Sequence, residues 1–265
     1  MPVWAVATAV YSIYVVILAA LLPRLRWRAR AAAAMTSLPA LALAFLAPHA
    51  HAFVFHSLVY PLGSLLLGYR ATGFLWRTHN LRFEAMLAAA DATLRVRELS
   101  HRAPRVVAEF LEFAYAAVYP LIPLAFWLHL RFAPVPNPDC FWTVVLVTDY
   151  VCFSLLPWIQ TRPPRAIEER APWHASLRRL NLDILDTASI QMNTVPSGHA
   201  AEALVCALLL VGAPPAILAL MVLMTAAISA GALFGRYHYS IDILSGWIVA
   251  VAVFIAIQGS CAVRG

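Results

Sequence analysis

The chain contains no lysine, and charge of either sign is sparse. All 19 cationic side chains are arginine, and only 12% of residues are charged. A soluble domain carries roughly a quarter charged residues, so this scarcity excludes an ordinary water-soluble globule. The net charge of +6 is spread over loops between apolar runs and not gathered along one basic face, which argues against a nucleic-acid partner. Cysteine is also scarce: Cys140, Cys152, Cys206 and Cys261 show no CxxC spacing and lie in or beside apolar segments. They read as buried free thiols and not as a metal or redox centre. The amino terminus lacks a charged leader with a small-residue cleavage site, so its first apolar run is expected to be a retained span. No internal repeat is visible. The missing lysine and abundant alanine suggest a GC-rich bacterial genome.

Apolar residues make up 62% of the chain and the mean hydropathy is +0.76. Several stretches reach the roughly 20 apolar residues that cross a bilayer, so the expected fold is an all-α polytopic membrane bundle. Residues 3–22 form a first span, closed by Pro23 and the arginine-rich "RLRWRAR". Residues 31–69 are too long for one straight helix, yet "APHAH" leaves little turn for two. Further spans are expected at 106–130, 140–158, 199–212, 214–234 and 241–260. Within the polar segment 70–105, Leu81, Phe83, Met86, Leu87, Ala90 and Leu94 recur at helical spacing, which predicts a helix on the membrane surface. We divide the chain into N-terminal spans with this amphipathic segment (1–105) and a catalytic bundle (106–265), continuous as one domain. Two spans separate the polar segments 70–105 and 160–198, and two more lead to "GRYHYSID". All three therefore share one membrane face.

Two histidines meet on that face. In "GRYHYSIDILSG", His238 and Asp242 are four residues apart at a helix start, hence on one side. A carboxylate bonded to one imidazole nitrogen fixes the tautomer and leaves the other nitrogen nucleophilic. In "NTVPSGHAAEA", Pro196 makes a bend, Ser197 can cap the next helix, and Gly198 permits close backbone approach. That helix terminus offers free N–H groups to an anion, with His199 just inside it to donate a proton. Ahead of both, "QTRPPRAIEER" supplies Arg162 and Arg165 as phosphate clamps, and Arg236 adjoins His238. Together these pieces describe a phosphoryl-transfer site. Asp149 lies mid-span, where an acid is a functional suspect or a structural hydrogen-bond partner, and Glu109 and Glu112 are expected to bond structurally near an interface. His49, His51 and His56 hint at metal spacing but lack acid or cysteine partners in sequence, so no metal site is expected.

The combination of "PSGH" at 196–199, "HYSID" at 238–242 and "TRPPR" before both resembles the membrane branch of the type 2 phosphatidic acid phosphatase superfamily, over roughly residues 140–260. The resemblance implies a six-helix phosphatase-type core with extra N-terminal helix or helices, working without metal or cofactor through a phosphohistidine. It implies His238 as nucleophile, Asp242 as its orienting partner and His199 as acid and then base. Ser197, Gly198 and Arg162 would bind phosphate. Two cations of the family pattern are missing: its first-motif lysine position is Leu155, and its third-motif Ser-Arg pair is Gly231 and Ala232. Arg165 and Arg236 are the expected substitutes. The "PPR" and "RYHY" forms resemble the inositol phosphorylceramide synthase-like subgroup, which passes the phosphate group to an alcohol and not to water. The expected function is hydrolysis of a lipid phosphate or pyrophosphate; transfer to an alcohol and a non-catalytic lipid-binding or scaffold role are the alternatives. The expected partners are the lipid substrate and membrane lipids, in a bacterial inner membrane. The resemblance implies an extracytoplasmic site, which suits seven spans with a single crossing in 31–69.

Overall fold

The computed structural model describes residues 1–49 and 52–262, and every regular element among them is helical. Twelve α-helices follow in chain order: α1 Val3–Leu21, α2 Trp27–Leu46, α3 Tyr60–Gly73, α4 Leu81–Thr93, α5 Val96–His101, α6 Arg105–Ala116, α7 Val118–Phe132, α8 Pro138–Leu155, α9 Ser176–Ala188, α10 Gly198–Leu208, α11 Pro215–Phe234 and α12 Ser240–Ala262. Five segments are long and apolar enough to cross a membrane, and the bent pair α6–α7 makes a sixth. The 59° bend falls at Ala117, just ahead of Pro120 and Pro123, which cannot donate the helical hydrogen bonds of their turns.

The expectation of one crossing in 31–69 is corrected. That region holds two helices, α2 and α3, with Pro48 in the turn that ends the first. Pro61 withholds an amide at the start of α3, which is entered through a π-helical turn, Phe55–Val59. α3 runs alongside α8 in the same direction: Trp142 Nε1 donates to the Ser57 carbonyl at one end, and Tyr69 packs on Phe153, ring centroids 5.3 Å apart, at the other. The short α10 also traverses the bundle, with His199 at its start and the Leu209 carbonyl, just past its end, accepting from His129 Nδ1 at the close of α7. α1, α2, α3, α6–α7, α8, α10, α11 and α12 thus make eight passes.

α8 is the central staff. Its Phe141, Trp142, Val145, Leu146 and Phe153 are buried in one apolar cluster that runs from Trp4 of α1 to Val253 of α12. α4 is not a free surface helix. Its Phe83 and Leu87 pack on Val195, Ile159 and Tyr239 beside the histidine loops, while Leu81, Met86 and Leu94 stay exposed. One cysteine expectation also changes: Cys152 and Cys206 are free and buried, but Cys140 is disulfide-bonded.

Two glycines admit close helix contacts. A Cβ on Gly246 of α12 would stand 2.5 Å from the Ser197 carbonyl oxygen, and one on Gly231 of α11 would stand 2.4 Å from that of Leu111. Gly246→Ala is expected to cost about 1–3 kcal/mol by overpacking, read as a lowered Tm in detergent.

Candidate functional site

The polar turn before α10 and the first turn of α12 are joined backbone to backbone. The Ser197 amide donates to the Asp242 carbonyl at 2.9 Å, and the Ser197 hydroxyl caps α10 by accepting from the Ala200 amide at 3.4 Å. Across that joint, the imidazoles of His199 and His238 lie with ring centroids 5.8 Å apart at 60°. His199 is flanked by Tyr115 and Tyr119, at 5.5 and 6.2 Å.

The loop bearing His238 is held from three sides. Its amide and that of Tyr237 both donate to the Ala232 carbonyl, at 3.0 and 2.9 Å, which folds the chain back on the end of α11. Arg236 takes a left-handed conformation, φ 61°, that a non-glycine residue adopts only when its surroundings hold it. Those surroundings are two acids. Arg236 Nη1 donates to Asp91 of α4 at 2.6 Å, and its Nη2 and Nε donate to Glu168 at 2.7 and 3.0 Å. Asp91 also accepts from the amide and hydroxyl of Ser240, at 2.9 and 2.7 Å, so α4 grips both ends of the histidine loop.

A second anchor lies beneath. Glu112 of α6 is fully buried, and its carboxylate accepts from Trp173 Nε1 (2.7 Å), Arg178 Nη1 (2.9 Å), Asn181 Nδ2 (2.7 Å) and the Tyr237 hydroxyl (2.6 Å). Tyr237 stacks flat on Tyr115 at 4.0 Å, next to the histidine pair. Glu109 accepts from the Ser176 and Leu177 amides and so caps α9. Both glutamates bond structurally, as their place near an interface suggests.

His238 Nδ1 lies 3.5 Å from Asp242 Oδ2, which also accepts the Tyr239 amide at 2.8 Å. The carboxylate is thus aimed at the ring while its own position is fixed by backbone. Burial and, after it, the nearby Arg165 guanidinium push the His238 imidazole down to about 3, so at neutral pH it is a free base.

The arginines divide unequally. Arg162 is claimed by Glu84 of α4: its Nε and Nη2 bond the carboxylate at 3.2 and 2.9 Å, and its amide adds a third bond at 2.8 Å. Burial alone would raise the Glu84 carboxyl, but the Arg162 hydrogen bonds hold it below its ordinary value. Arg236 is engaged as described. Arg165, by contrast, has no ion-pair partner among the described residues. Its amide donates to the Arg236 carbonyl at 2.9 Å, and its guanidinium lies over the Tyr237 ring, 5.7 Å from the centroid. The structure therefore gathers His199, His238, Asp242, Ser197, Gly198 and Arg165 at one point, and ties Arg162 and Arg236 to acids around it. The family's Ser-Arg position is filled by backbone, because Gly231 is pressed on α6 and Ala232 is fully buried.

Glu84, Asp91 and Glu112 went unassigned as site supports in the sequence, where each is one acid in an ordinary helical pattern. Only the Glu112 position, near the entry of an apolar run, carried a signal. Asp149 lies below the turn, its Oδ1 3.9 Å from where a Gly198 Cβ would stand, with Glu202 of α10 beside it. On the opposite face His56 Nε2 meets Asp139 at 3.2 Å, while His51 lies outside the described residues. Among the described residues no three His, Cys, Asp or Glu side chains converge as a metal site would require.

The family model that describes the PAP2 superfamily matches residues 81–256, which includes α4 and every residue gathered at the histidine pair. No curated protein and no solved structure matches the chain.

Two outcomes follow from these contacts. Glu112→Gln, which breaks a buried ion pair with Arg178, is expected to cost about 3 kcal/mol, read by thermal unfolding in detergent. His238 takes up a proton near pH 6.5 when unfolded but only near pH 3 when folded, so its contribution to stability is complete above pH 6.5 and is lost on acidification. Between pH 7 and 5 the wild type should lose about 2 kcal/mol more than His238→Gln does, measured by parallel melts.

Proposed function

The chain belongs to the PAP2 superfamily, whose activity is of the phosphatase type, and we propose that it hydrolyses a lipid phosphate or pyrophosphate through a phosphohistidine on His238. The observation that carries this reading is the 5.8 Å pairing of His199 with His238 beside an arginine, Arg165, that has no carboxylate partner among the described residues. In this reading Arg165 and the amides at the start of α10 bind the phosphoryl oxygens. The free Nε2 of His238 attacks phosphorus, and Asp242 stabilises the positive charge that the ring acquires. The bond to the leaving oxygen breaks, and His199, made protonated by the bound anion, gives that oxygen its proton. Water then enters on the opposite course: His199 takes its proton, oxygen attacks phosphorus, the N–P bond breaks and inorganic phosphate departs. Water is the only co-reactant.

An amphiphilic substrate suits this position. The short α10 places the histidines at the mouth of the bundle, where a lipid tail stays in the membrane while its head group meets Arg165. The lysine-free, alanine-rich composition supports a bacterial inner membrane as the setting. Transfer to an alcohol is favoured by one observation, the "PPR" and "RYHY" forms of the two motifs, which resemble the inositol phosphorylceramide synthase-like subgroup.

Purified protein given a labelled lipid phosphate should release free phosphate without an added acceptor. Label that appears only on an added polyol such as inositol would replace hydrolysis by transfer. His238→Ala should abolish turnover, and unchanged turnover would leave a non-catalytic lipid-binding role. Arg165→Gln should lower kcat by about 10²–10³, the usual loss of one oxyanion donor. Arg162→Gln should cost less, since that guanidinium is already held by Glu84.

A further inference from the structure

We propose that the junction of α4 and α5 is a binding site for the phosphate of an anionic diester lipid, separate from the histidine pair. The phosphatase reading draws on Arg165 and gives no task to the seven arginines of residues 70–105. Two of those seven are structural: Arg70 donates to the Thr187 carbonyl and Arg77 to that of Pro157. Three more, Arg95, Arg97 and Arg102, line one open cavity of about 480 Å³ with Ala92, Glu98 and His101. That volume falls in the range of small-ligand sites.

The fold holds these arginines in place. Arg95 takes a left-handed conformation, φ 54°, which breaks α4 from α5. Val96 and Ser100 of α5 are buried, and α5 packs on α4 and α11, so its outer side stands on a fixed base. There Glu98 accepts from Arg95 Nε and pairs with Arg102 Nη2, both at 2.6 Å, so one carboxylate draws two guanidiniums together. Arg97 has no ion-pair partner among the described residues. Three arginines thus face one acid, and the cavity keeps an excess of positive charge. Stability does not account for the cluster, because the Arg95 and Arg102 side chains are 66% and 72% exposed and ion pairs so placed contribute little to folding. Guanidiniums that converge with their forks free toward solvent are suited to phosphate oxygens.

What surrounds the arginines selects a lipid over a free ion. Leu94 and Leu99 are exposed beside them, and α6 begins at Arg105 with Val106, Phe110 and Phe113 exposed on its way into the membrane. A membrane diester satisfies both surfaces, with its phosphate on the guanidiniums and its chains against the apolar side chains. A second cavity, of about 400 Å³, shares Ala92 and Arg97 with the first and follows α4 to Arg236 and Tyr239, on either side of His238 in the chain. α4 also carries Glu84 and Asp91, which bond Arg162 and Arg236. A lipid held at the end of α4 therefore steadies the helix that grips the histidine loop. The site itself does not depend on the phosphatase reading.

Native mass spectrometry of the full-length protein in detergent tests the site, with phosphatidylglycerol as the probe and no activity readout. Arg97→Gln should weaken retention of this lipid about fivefold, and Arg97→Gln with Arg102→Gln about 25-fold, as each arginine near a membrane surface contributes a similar attraction. Arg165→Gln, at the histidine pair, and Arg131→Gln, at the close of α7, should leave retention unchanged. Zwitterionic phosphatidylcholine should be retained less than phosphatidylglycerol. Equal retention of the two lipids would overturn the proposal, and so would a loss in Arg165→Gln that Arg97→Gln does not share. Displacement of the lipid by millimolar inorganic phosphate would also overturn it, in favour of a free-anion site. Should the double variant fail to fold, Arg97→Gln alone decides, since that side chain makes no ion pair among the described residues. If the lipid binds as expected but His238→Ala leaves turnover unchanged, the phosphatase reading fails alone.

Discussion

One backbone hydrogen bond, from the Ser197 amide to the Asp242 carbonyl, joins two motifs more than forty residues apart in sequence. It holds the turn before α10 against the first turn of α12, and Gly246 lets the two backbones come within reach by presenting no Cβ to the Ser197 carbonyl. His199 follows Ser197 by two positions and His238 precedes Asp242 by four. Once the joint is made, the separation of the two rings is largely set. The tyrosines around them and the carboxylate behind His238 refine an arrangement that the main chain has already imposed.

Around that joint, charge is used mainly as mortar. Three guanidiniums are matched by carboxylates from distant elements: Arg162 by Glu84, Arg236 by Asp91 and Glu168, Arg178 by Glu112. Removing a charge from water costs several kcal/mol unless a partner and further hydrogen bonds compensate, and each of these arginines has both. Arg165 has no carboxylate partner among the described residues and sits beside the two imidazoles. A cation without a carboxylate partner among the described residues is an electrostatic vacancy that an anion would fill, and Arg165 alone of these four arginines has that character.

Much of this was legible in the sequence. Hydropathy locates the apolar runs, and counting crossings between the polar segments 70–105 and 160–198 and "GRYHYSID" puts the polar motifs on one face. That count tolerated the error in 31–69, because the misjudged segment lies upstream of all three motifs. The partners of the arginines were not legible, since Glu84 and Asp91 meet Arg162 and Arg236 across dozens of residues of intervening chain. The role of α4 was obscured for a related reason. Its apolar stripe has the same period whether it faces lipid or, as Phe83 and Leu87 do, the underside of the histidine loops. Pro61 and the π-turn that opens α3 likewise disguise a full traverse as an interrupted one.

Gly231 and Ala232 limit which side chains α11 can carry at this contact. The helix that presses on them, α6, also carries Glu112, the residue on which Trp173, Arg178, Asn181 and Tyr237 converge. Placing a serine and an arginine there would require α6 to retreat, and with it the whole glutamate-centred knot. No single codon change achieves both. The contact at Gly231 is thus a constraint shared by two distant helices, and a side chain added to one of them disturbs the anchor carried by the other.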